Sequence, residues 1–151
     1  MFEIESKNQD IITITTKKCS VSFNVSDGTI GGNLGVGVIS GPGEFEIGDL
    51  TVRGIAVGEN KNRVIYDVEV SNVHVGIIDG IEDGLDDLGV SDILCTSSVR
   101  SVREIEPKVV VSMGNIDGMV SELKLTARVE KKLKVKSLES LPSTLEVVAL
   151  N

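Results

Sequence analysis

The chain has 151 residues, a formal net charge of −8 at pH 7 and a sequence pI of about 4.7. Its length predicts a single domain, residues 1–151, and 40% hydrophobic residues with a mean hydropathy of +0.15 exclude a disordered chain. The negative charge argues against nucleic acid as a partner, because phosphate binding depends on Lys and Arg neutralising charge.

The first ten residues, MFEIESKNQD, have neither the basic start nor the apolar centre of a signal peptide. No apolar run reaches the ~20 residues of a membrane helix. The two cysteines, Cys19 and Cys95, each lie in an apolar run typical of a strand, where a free thiol behaves as a small hydrophobe. This usage favours a reducing compartment. These features predict a cytoplasmic protein without a membrane partner.

Alternation of apolar and polar residues dominates the first part of the chain. It predicts strands at Ile11–Lys18 and Cys19–Ser26. The following segment, Asp27–Gly43, contains seven glycines and one proline. Such a composition does not suit a helix and predicts turns around a short strand at Gly35–Ile39.

Two hairpins are predicted next. The first turns at Gly48–Asp49, and the second joins strands at Arg63–Val70 and Val73–Ile78 through a turn at Ser71–Asn72. The segment Asp79–Gly89 is rich in Asp and Gly and is predicted to hold one or two helical turns.

The second half of the chain changes to short strands with short connections. Strands are predicted at Asp92–Ser97 and Lys108–Met113, with a brief helix between them that ends before Pro107. The run at Lys108–Met113 is β-branched, as in strands that are buried on both faces. Asp117–Ala127 is predicted as the main helix. Its apolar face carries Met119, Val120, Leu123 and Ala127.

Basic residues concentrate in one run, RVEKKLKVK (Arg128–Lys136). Lys alternates with Leu and Val there, which predicts an edge or half-exposed strand whose lysines discourage edge-to-edge pairing. The segments KLKVKSL and STLEVVAL are predicted to close the chain as strands. Together these patterns predict a sheet-rich protein with few helices, and its Lys-marked edges are compatible with a homodimer.

Five segments stand in a recognisable order. They are SGPGEFEIGDLTVRGI (Ser40–Ile55), RVIYDVEVSNVHVGIIDG (Arg63–Gly80), SDILCTS (Ser91–Ser97), EPKVVVSMGN (Glu106–Asn115) and LPSTLEVVAL (Leu141–Leu150). Their order and spacing resemble the metallo-β-lactamase superfamily, in the small branch of metal-dependent hydrolases related to ascorbate-phosphate lactonase. The resemblance covers roughly residues 36–150. It implies an α+β fold, a reduced β-sandwich of two packed sheets with few, short helices.

The resemblance also implies a zinc site. In such enzymes a histidine-rich loop, a bridging aspartate and a late histidine hold the metal, which lowers the pKa of a bound water to about 7. Here the region Val25–Ser40 contains no histidine, Ile81 takes the place of the bridging aspartate, and Gly114 takes the place of the late histidine. No zinc-binding residue carries over, so neither a catalytic residue nor a cofactor is expected.

His74 is the only imidazole in the chain. Its neighbours Val73 and Val75 share one face of the predicted strand, so His74 points to the other face, alongside Asn72 and Gly76. We interpret it as a solvated strand histidine, because one histidine without a nearby cysteine cannot build a tetrahedral zinc site.

Five carboxylates occupy the loop where the active-site mouth of the family would lie. They are Asp79, Glu82, Asp83, Asp86 and Asp87. Oxygen ligands of this kind bind Mg²⁺ or Ca²⁺, which makes them weak candidates for a divalent cation. Asp-Gly pairs are equally what turns and helix starts prefer, so a solvated acidic face is the simpler interpretation.

Two further features have weaker support. Glu44 and Glu46 point to one face of a strand and could act as an acid and a base, although the turn that they follow explains them structurally. The serines Ser97, Ser98 and Ser101 lack the strand–G-x-S-x-G–helix context of a nucleophile.

These observations lead to three hypotheses. The first is a catalytically inactive relative of metallo-β-lactamase-fold hydrolases, kept as an interaction or assembly module for an unknown protein partner or for itself. The alternative is a Mg²⁺- or Mn²⁺-dependent hydrolase that uses the acidic loop Asp79–Asp87. A third is a small-molecule binding module that uses the glycine-rich loop Gly28–Gly37.

Overall fold

The computed structural model describes residues 1–8, 10–32, 37–114 and 116–151. The strands in these ranges are β1 (Phe2–Asn8), β2 (Ile11–Thr15), β3 (Ser20–Asn24), β4 (Thr29–Gly32), β5 (Ile39–Ser40), β6 (Gly43–Ile47), β7 (Leu50–Val57), β8 (Arg63–Val70), β9 (Val73–Asp79), β10 (Ile93–Thr96), β11 (Val109–Ser112), β12 (Ala127–Glu130), β13 (Leu133–Val135) and β14 (Glu146–Leu150). The helices are α1 (Leu85–Leu88), α2 (Val99–Ile105), α3 (Ile116–Leu123) and a 3-10 turn at Leu138–Ser140. None of these helices combines the length and apolarity that crossing a membrane requires.

The strands form two sheets. The small sheet has the order β13-β1-β2-β3-β4-β5, and every neighbouring pair in it is antiparallel. Its strands alternate as the sequence predicts: Ile12 and Ile14 are fully buried, whereas Thr13 on the opposite face pairs through its Oγ1 with Ser22 Oγ at 2.8 Å. One face of the small sheet is therefore apolar and the other carries hydroxyls.

The large sheet has the order β12-β14-β11-β10-β9-β8-β7-β6. Strands β6 to β9 pair antiparallel, and the pairs from β9 through β10, β11 and β14 to β12 are parallel. All residues of β10 and β11 are buried. This confirms the both-face burial predicted for the run at Lys108–Met113, except at Lys108, which is exposed before β11 begins. Strands in the middle of a parallel sheet are covered on both sides.

The two sheets pack face to face, and helices cover one of them. The space between the sheets is filled by apolar side chains, including an aromatic pair, Phe23 and Tyr66, whose ring centroids lie 5.3 Å apart. A second apolar cluster lies on the outer face of the large sheet, where helix residues such as Leu88, Val102 and Met119 pack. Both faces of the large sheet are thus covered over much of its area, which explains its near-continuous apolar strands.

The predicted hairpins are confirmed. The turn between β8 and β9 is made by Ser71 and Asn72, which both have positive φ, 53° and 64°. Positive φ at both central residues is the signature of a type I′ turn, whose twist matches that of the flanking strands. The turn between β6 and β7 falls at Gly48–Asp49 as predicted.

The main helix is shorter than predicted. It ends at Leu123, Lys124 adopts a left-handed φ of 56°, and Ala127 begins strand β12. The apolar pattern through Ala127 predicts a helix, but Ala127 lies in β12 instead. The parallel pairing of β12 with β14 outweighs the helical periodicity of the sequence. A left-handed residue at the end of a helix is a common way to stop it.

The basic run at Arg128–Lys136 divides between two strands. Strand β12 is an edge of the large sheet, and β13 is an edge of the small sheet. The prediction of an edge location is confirmed, but the prediction of one strand is wrong, since the chain turns at Lys131–Lys132 and crosses from one sheet to the other. Residues 35 and 36 of the short strand predicted at Gly35–Ile39 lie outside the described residues; of the other three, only Ile39 is in a strand, at the start of β5.

Candidate functional site

The carboxyl ends of five parallel strands meet at one edge of the large sheet. These ends are Asp79 of β9, Thr96 of β10, Ser112 of β11, Leu150 of β14 and Glu130 of β12. We call this region the carboxyl edge. Ligands of open α/β sheets bind outside the carboxyl ends of the strands, and the resemblance noted above places its metal here.

Asp79 is the most constrained residue of the carboxyl edge. It has a left-handed φ of 48°, its carbonyl oxygen accepts hydrogen bonds from Thr96 Oγ1 and from the Ser97 amide, and its carboxylate lies 3.4 Å from Ser97 Oγ. Burial, and then the nearby carboxylate of Asp10, raises the pKa of Asp79 above its ordinary value of 3.8. The Ser97 hydroxyl and the charge of Arg63 oppose this shift.

Two of the other carboxylates of the acidic loop, Glu82 and Asp83, bind different protein groups. Glu82 accepts a hydrogen bond from Ser98 Oγ at 2.5 Å, and Asp83 accepts one from the Gly58 amide at 2.8 Å. Asp86 and Asp87 lie exposed in the first turn of α1, where negative charge is favourable. Within the described ranges, no three His, Cys, Asp or Glu side chains are arranged to hold a metal ion. The structure therefore does not bring the five loop carboxylates together.

The positions that the resemblance assigns to zinc ligands have other roles. Ile81 is half-buried and packs against both apolar clusters. Gly114 has a φ of 98°, and among the described residues other than its chain neighbours a Cβ there would meet no atom within 4 Å. Residues 33–36 of the expected histidine-rich loop, and of the glycine-rich loop Gly28–Gly37, lie outside the described residues.

The soft ligands of the chain lie elsewhere. Cys95 is fully buried between the sheets, and burial raises the pKa of its thiol. His74 is five residues before Asp79 on the same strand, which puts it about 16 Å from the carboxyl edge. Zinc in proteins is held by thiolate, imidazole and carboxylate groups. The described residues at the carboxyl edge supply hydroxyls and separated carboxylates, so they do not fit a zinc site.

A second polar arrangement lies on the outer face of the antiparallel part of the large sheet. Cross-strand neighbours form two rows there: Glu44, Arg53 and Asp67 in one, and Glu46, Thr51, Glu69 and His74 in the other. We call these seven residues the charged ladder. Six of them, all except His74, line a groove of about 300 Å³.

Asp67 is the centre of the charged ladder. Only 11% of its side chain is exposed; one carboxylate oxygen lies 3.4 Å from Arg53 Nη2 and the other 3.1 Å from His74 Nδ1. Arg53 also donates to the Leu88 carbonyl at 3.0 Å, and His74 Nε2 lies 3.7 Å from Glu69 Oε2. The buried carboxylate thus fixes both the guanidinium and the imidazole ring.

The interpretation of His74 as a solvated histidine is corrected in part. It lies on the predicted face, but its side chain is 35% exposed and is held between two carboxylates. A signal for this was present in the sequence. A two-residue turn at Ser71–Asn72 places His74 opposite Glu69 on the next strand, with Asp67 two residues further along the same face.

Asp79 provides a test of the electrostatics of the carboxyl edge. Because its pKa is higher in the folded protein than in the unfolded chain, its ionisation lowers stability as pH rises through 3.8, and the loss persists at neutral pH. We expect Asp79→Asn to be more stable than the parent protein at pH 7, and this difference to shrink below pH 3.8. Urea unfolding across this pH range measures it.

The matched control for this test is Asp86→Asn, which removes an exposed carboxylate of the same loop. We expect it to show no comparable gain. A gain for Asp79→Asn that is the same at all pH values would contradict the electrostatic explanation, since an effect of the left-handed backbone does not depend on pH.

Two sheets packed face to face, with a mixed large sheet and few helices, define an α+β sandwich of the metallo-β-lactamase type. The chain is similar in structure to a crystal structure from Thermotoga maritima described as a candidate Zn-dependent hydrolase of the metallo-β-lactamase superfamily. The TM-score is 0.75 at 12% sequence identity, and the match covers 99% of this chain and 98% of that one. The predicted fold is confirmed by this likeness. No protein-family model matches the chain, and no curated protein matches it.

Proposed function

We propose that this chain is a degenerate relative of the lactonase-like branch of metallo-β-lactamase-fold hydrolases, one that does not carry out zinc-dependent hydrolysis. In this proposal it works in the cytoplasm as an interaction or assembly module for a protein partner or a second copy of itself. The observation that carries the proposal is the position of the only imidazole. His74 is held by Asp67 near the start of β9, whereas a hydrolytic zinc would lie beyond the end of that strand.

The charged ladder supports a binding role. It lies on an open part of the large sheet and presents four carboxylates against one arginine. Complementary charge across an interface raises association rates and selects partners. A basic protein surface fits this requirement, and on a second copy Lys134 of β13 and Lys131 of the preceding turn, both exposed, supply such a surface.

Metal analysis tests the non-catalytic part of the proposal. We expect protein purified in the presence of zinc to retain well below one zinc per chain after dialysis, with no hydrolysis of lactone, phosphodiester or β-lactam substrates when Zn²⁺, Mn²⁺ or Mg²⁺ is added. His74→Ala is expected to leave both results unchanged. One tightly held zinc per chain together with hydrolysis would contradict the proposal.

Adding metal ions also distinguishes this proposal from the alternative hypothesis of a Mg²⁺- or Mn²⁺-dependent hydrolase. Stabilisation of the fold by micromolar Mg²⁺ or Mn²⁺, lost in both Asp79→Asn and Glu82→Gln, would favour a divalent-cation site in the acidic loop. We expect no such stabilisation, because these two carboxylates bind different serines.

Charge reversal tests the binding role. The double change Glu46→Lys and Glu69→Lys reverses two exposed members of the charged ladder, and Glu59→Lys with Glu139→Lys makes the same change in net charge outside it. We expect only the ladder variant to lose self-association or a co-purifying partner, as measured by light scattering at low salt. Equal behaviour of the two variants would exclude the ladder as the interface.

A further inference from the structure

A second groove, of about 490 Å³, lies at the other end of the carboxyl edge from Asp79. It is formed where β11, β14 and β12 end, with the end of β1 and the start of α3 as its walls. Small-molecule sites commonly have volumes of roughly 300–1,000 Å³ and combine apolar walls with a few polar groups. The volume of this groove lies in that range, and its lining combines apolar and polar residues.

Ser112 is the polar group that needs an explanation. It is the last residue of β11, only 9% exposed, and its Oγ is buried without a hydrogen-bond partner among the described residues. Buried hydroxyls are nearly always paired in folded proteins, because leaving one unpaired is costly. Since Ser112 lines the groove, rotation of its side chain would bring the hydroxyl to a ligand group in the groove, which would supply the missing partner.

The floor beside Ser112 is apolar. Ser112 pairs with Ala149 across the sheet, and Ala149 pairs with Val129 on the edge strand β12. The three side chains therefore stand in a row on one face. Val129 is 61% exposed. A ligand that binds the Ser112 hydroxyl would lay an aliphatic body along Ala149 and Val129 and remove this surface from water.

The polar end of the groove favours negative charge. Helix α3 has eight residues and starts at Ile116, which lines the groove next to Ser112. The N-terminus of a helix carries partial positive charge, because its peptide dipoles are aligned. Lys7 has the one charged side chain among the described residues that line the groove. Of the nearby carboxylates, Asp117 is exposed, and Glu130 lies 3.6 Å from Arg128.

We propose that this groove binds a small organic carboxylate with an aliphatic body. Ser112 donates its hydroxyl proton to the carboxylate, Lys7 and the first turn of α3 supply positive charge, and the aliphatic body packs on Ala149 and Val129. This site is separate from the charged ladder and does not depend on the proposed interaction role.

Octanoate is the probe that tests this site on the full chain. In amide NMR spectra we expect octanoate to shift the signals of Ser112, Gly114, Ile116 and Lys7 in a saturable way. Octanol keeps the aliphatic body without the charge, and octylamine reverses the charge. Both are expected to bind about tenfold more weakly than octanoate, because hydrogen bonds to charged groups are roughly twice as strong as neutral ones.

Variants test whether the affinity for octanoate depends on the Ser112 hydroxyl or only on the shape of the groove. Ser112→Ala removes an unpaired hydroxyl, so the protein is expected to fold normally while its octanoate affinity falls about tenfold. Lys7→Gln is expected to weaken octanoate but not octanol. The matched controls Ser121→Ala, on the exposed face of α3, and Lys61→Gln, in the turn before β8, are expected to change neither affinity.

Two results would overturn the proposal. One is that octanoate produces no saturable shift at the groove residues. The other is that octanol binds as well as octanoate, with Ser112→Ala without effect, which would reduce the groove to a non-specific apolar surface. The comparison of ligands uses the unmodified protein, so it decides the question even where a variant fails to fold.

Discussion

Replacing Gly84 by alanine is expected to lower the free energy of unfolding by about 2–4 kcal/mol. Gly84 precedes α1 with a left-handed φ of 77°, which costs an alanine roughly 1 kcal/mol. The larger part comes from packing, since a Cβ at this position would collide with Val57 Cγ1 and come within 3.5 Å of Ile65 Cδ1. Both neighbours belong to the apolar cluster under the helices. Urea unfolding measures the change.

A double-mutant cycle with Val57→Ala separates the two causes. Removing the Val57 methyl groups opens the space that the new Cβ needs, so in that background Gly84→Ala is expected to cost only the backbone part, about 1 kcal/mol. If the cost of Gly84→Ala is the same in both backgrounds, the collision with Val57 is not its cause.

Two substitutions of Tyr66 are expected to have opposite effects on the free energy of unfolding. Tyr66→Ala removes a fully buried ring that packs against Phe23 and should cost about 3–5 kcal/mol. Tyr66→Phe removes only the hydroxyl, which is buried without a partner among the described residues. Burial also raises the pKa of Tyr66 to about 12. We expect Tyr66→Phe to be as stable as the parent or more stable by about 1 kcal/mol.

Thermal and urea unfolding of both variants test this pair. A Tyr66→Phe protein less stable than the parent by 1 kcal/mol or more would show that the hydroxyl has a partner, such as a buried water. Tyr66→Ala provides the scale, because it removes the ring together with the hydroxyl and leaves a cavity.

The elements that the sequence predicted well are those whose pattern is fixed by neighbours along the chain. The hairpin at Ser71–Asn72 and the buried run at Lys108–Met113 are both of this kind. The end of α3 and the division of the basic run were mispredicted because both depend on β12 pairing with β14 and β13 pairing with β1. Such long-range pairings leave no local period to detect.

In the candidate sites too, the features that the sequence could predict are those fixed by neighbours along the chain. The pairing of His74 with Glu69 was within reach of the sequence, since a two-residue turn sets the register. The burial of Asp67 and its contact with Arg53 were not, because they require the third strand, β7, and the Leu88 carbonyl of a helix. The unpaired hydroxyl of Ser112 is visible only once the chain has folded around it.

The antiparallel pairing of β1 with β13 places Phe2 opposite Val135. The first strand of the small sheet therefore has an open edge until residues 133–135 have been synthesised. Closing so long a loop carries a large entropic cost, so this step is expected late in the folding reaction. During translation β1 can pair with β2 alone on the ribosome, and the exposed edge of the nascent protein is protected only when residues 133–135 emerge.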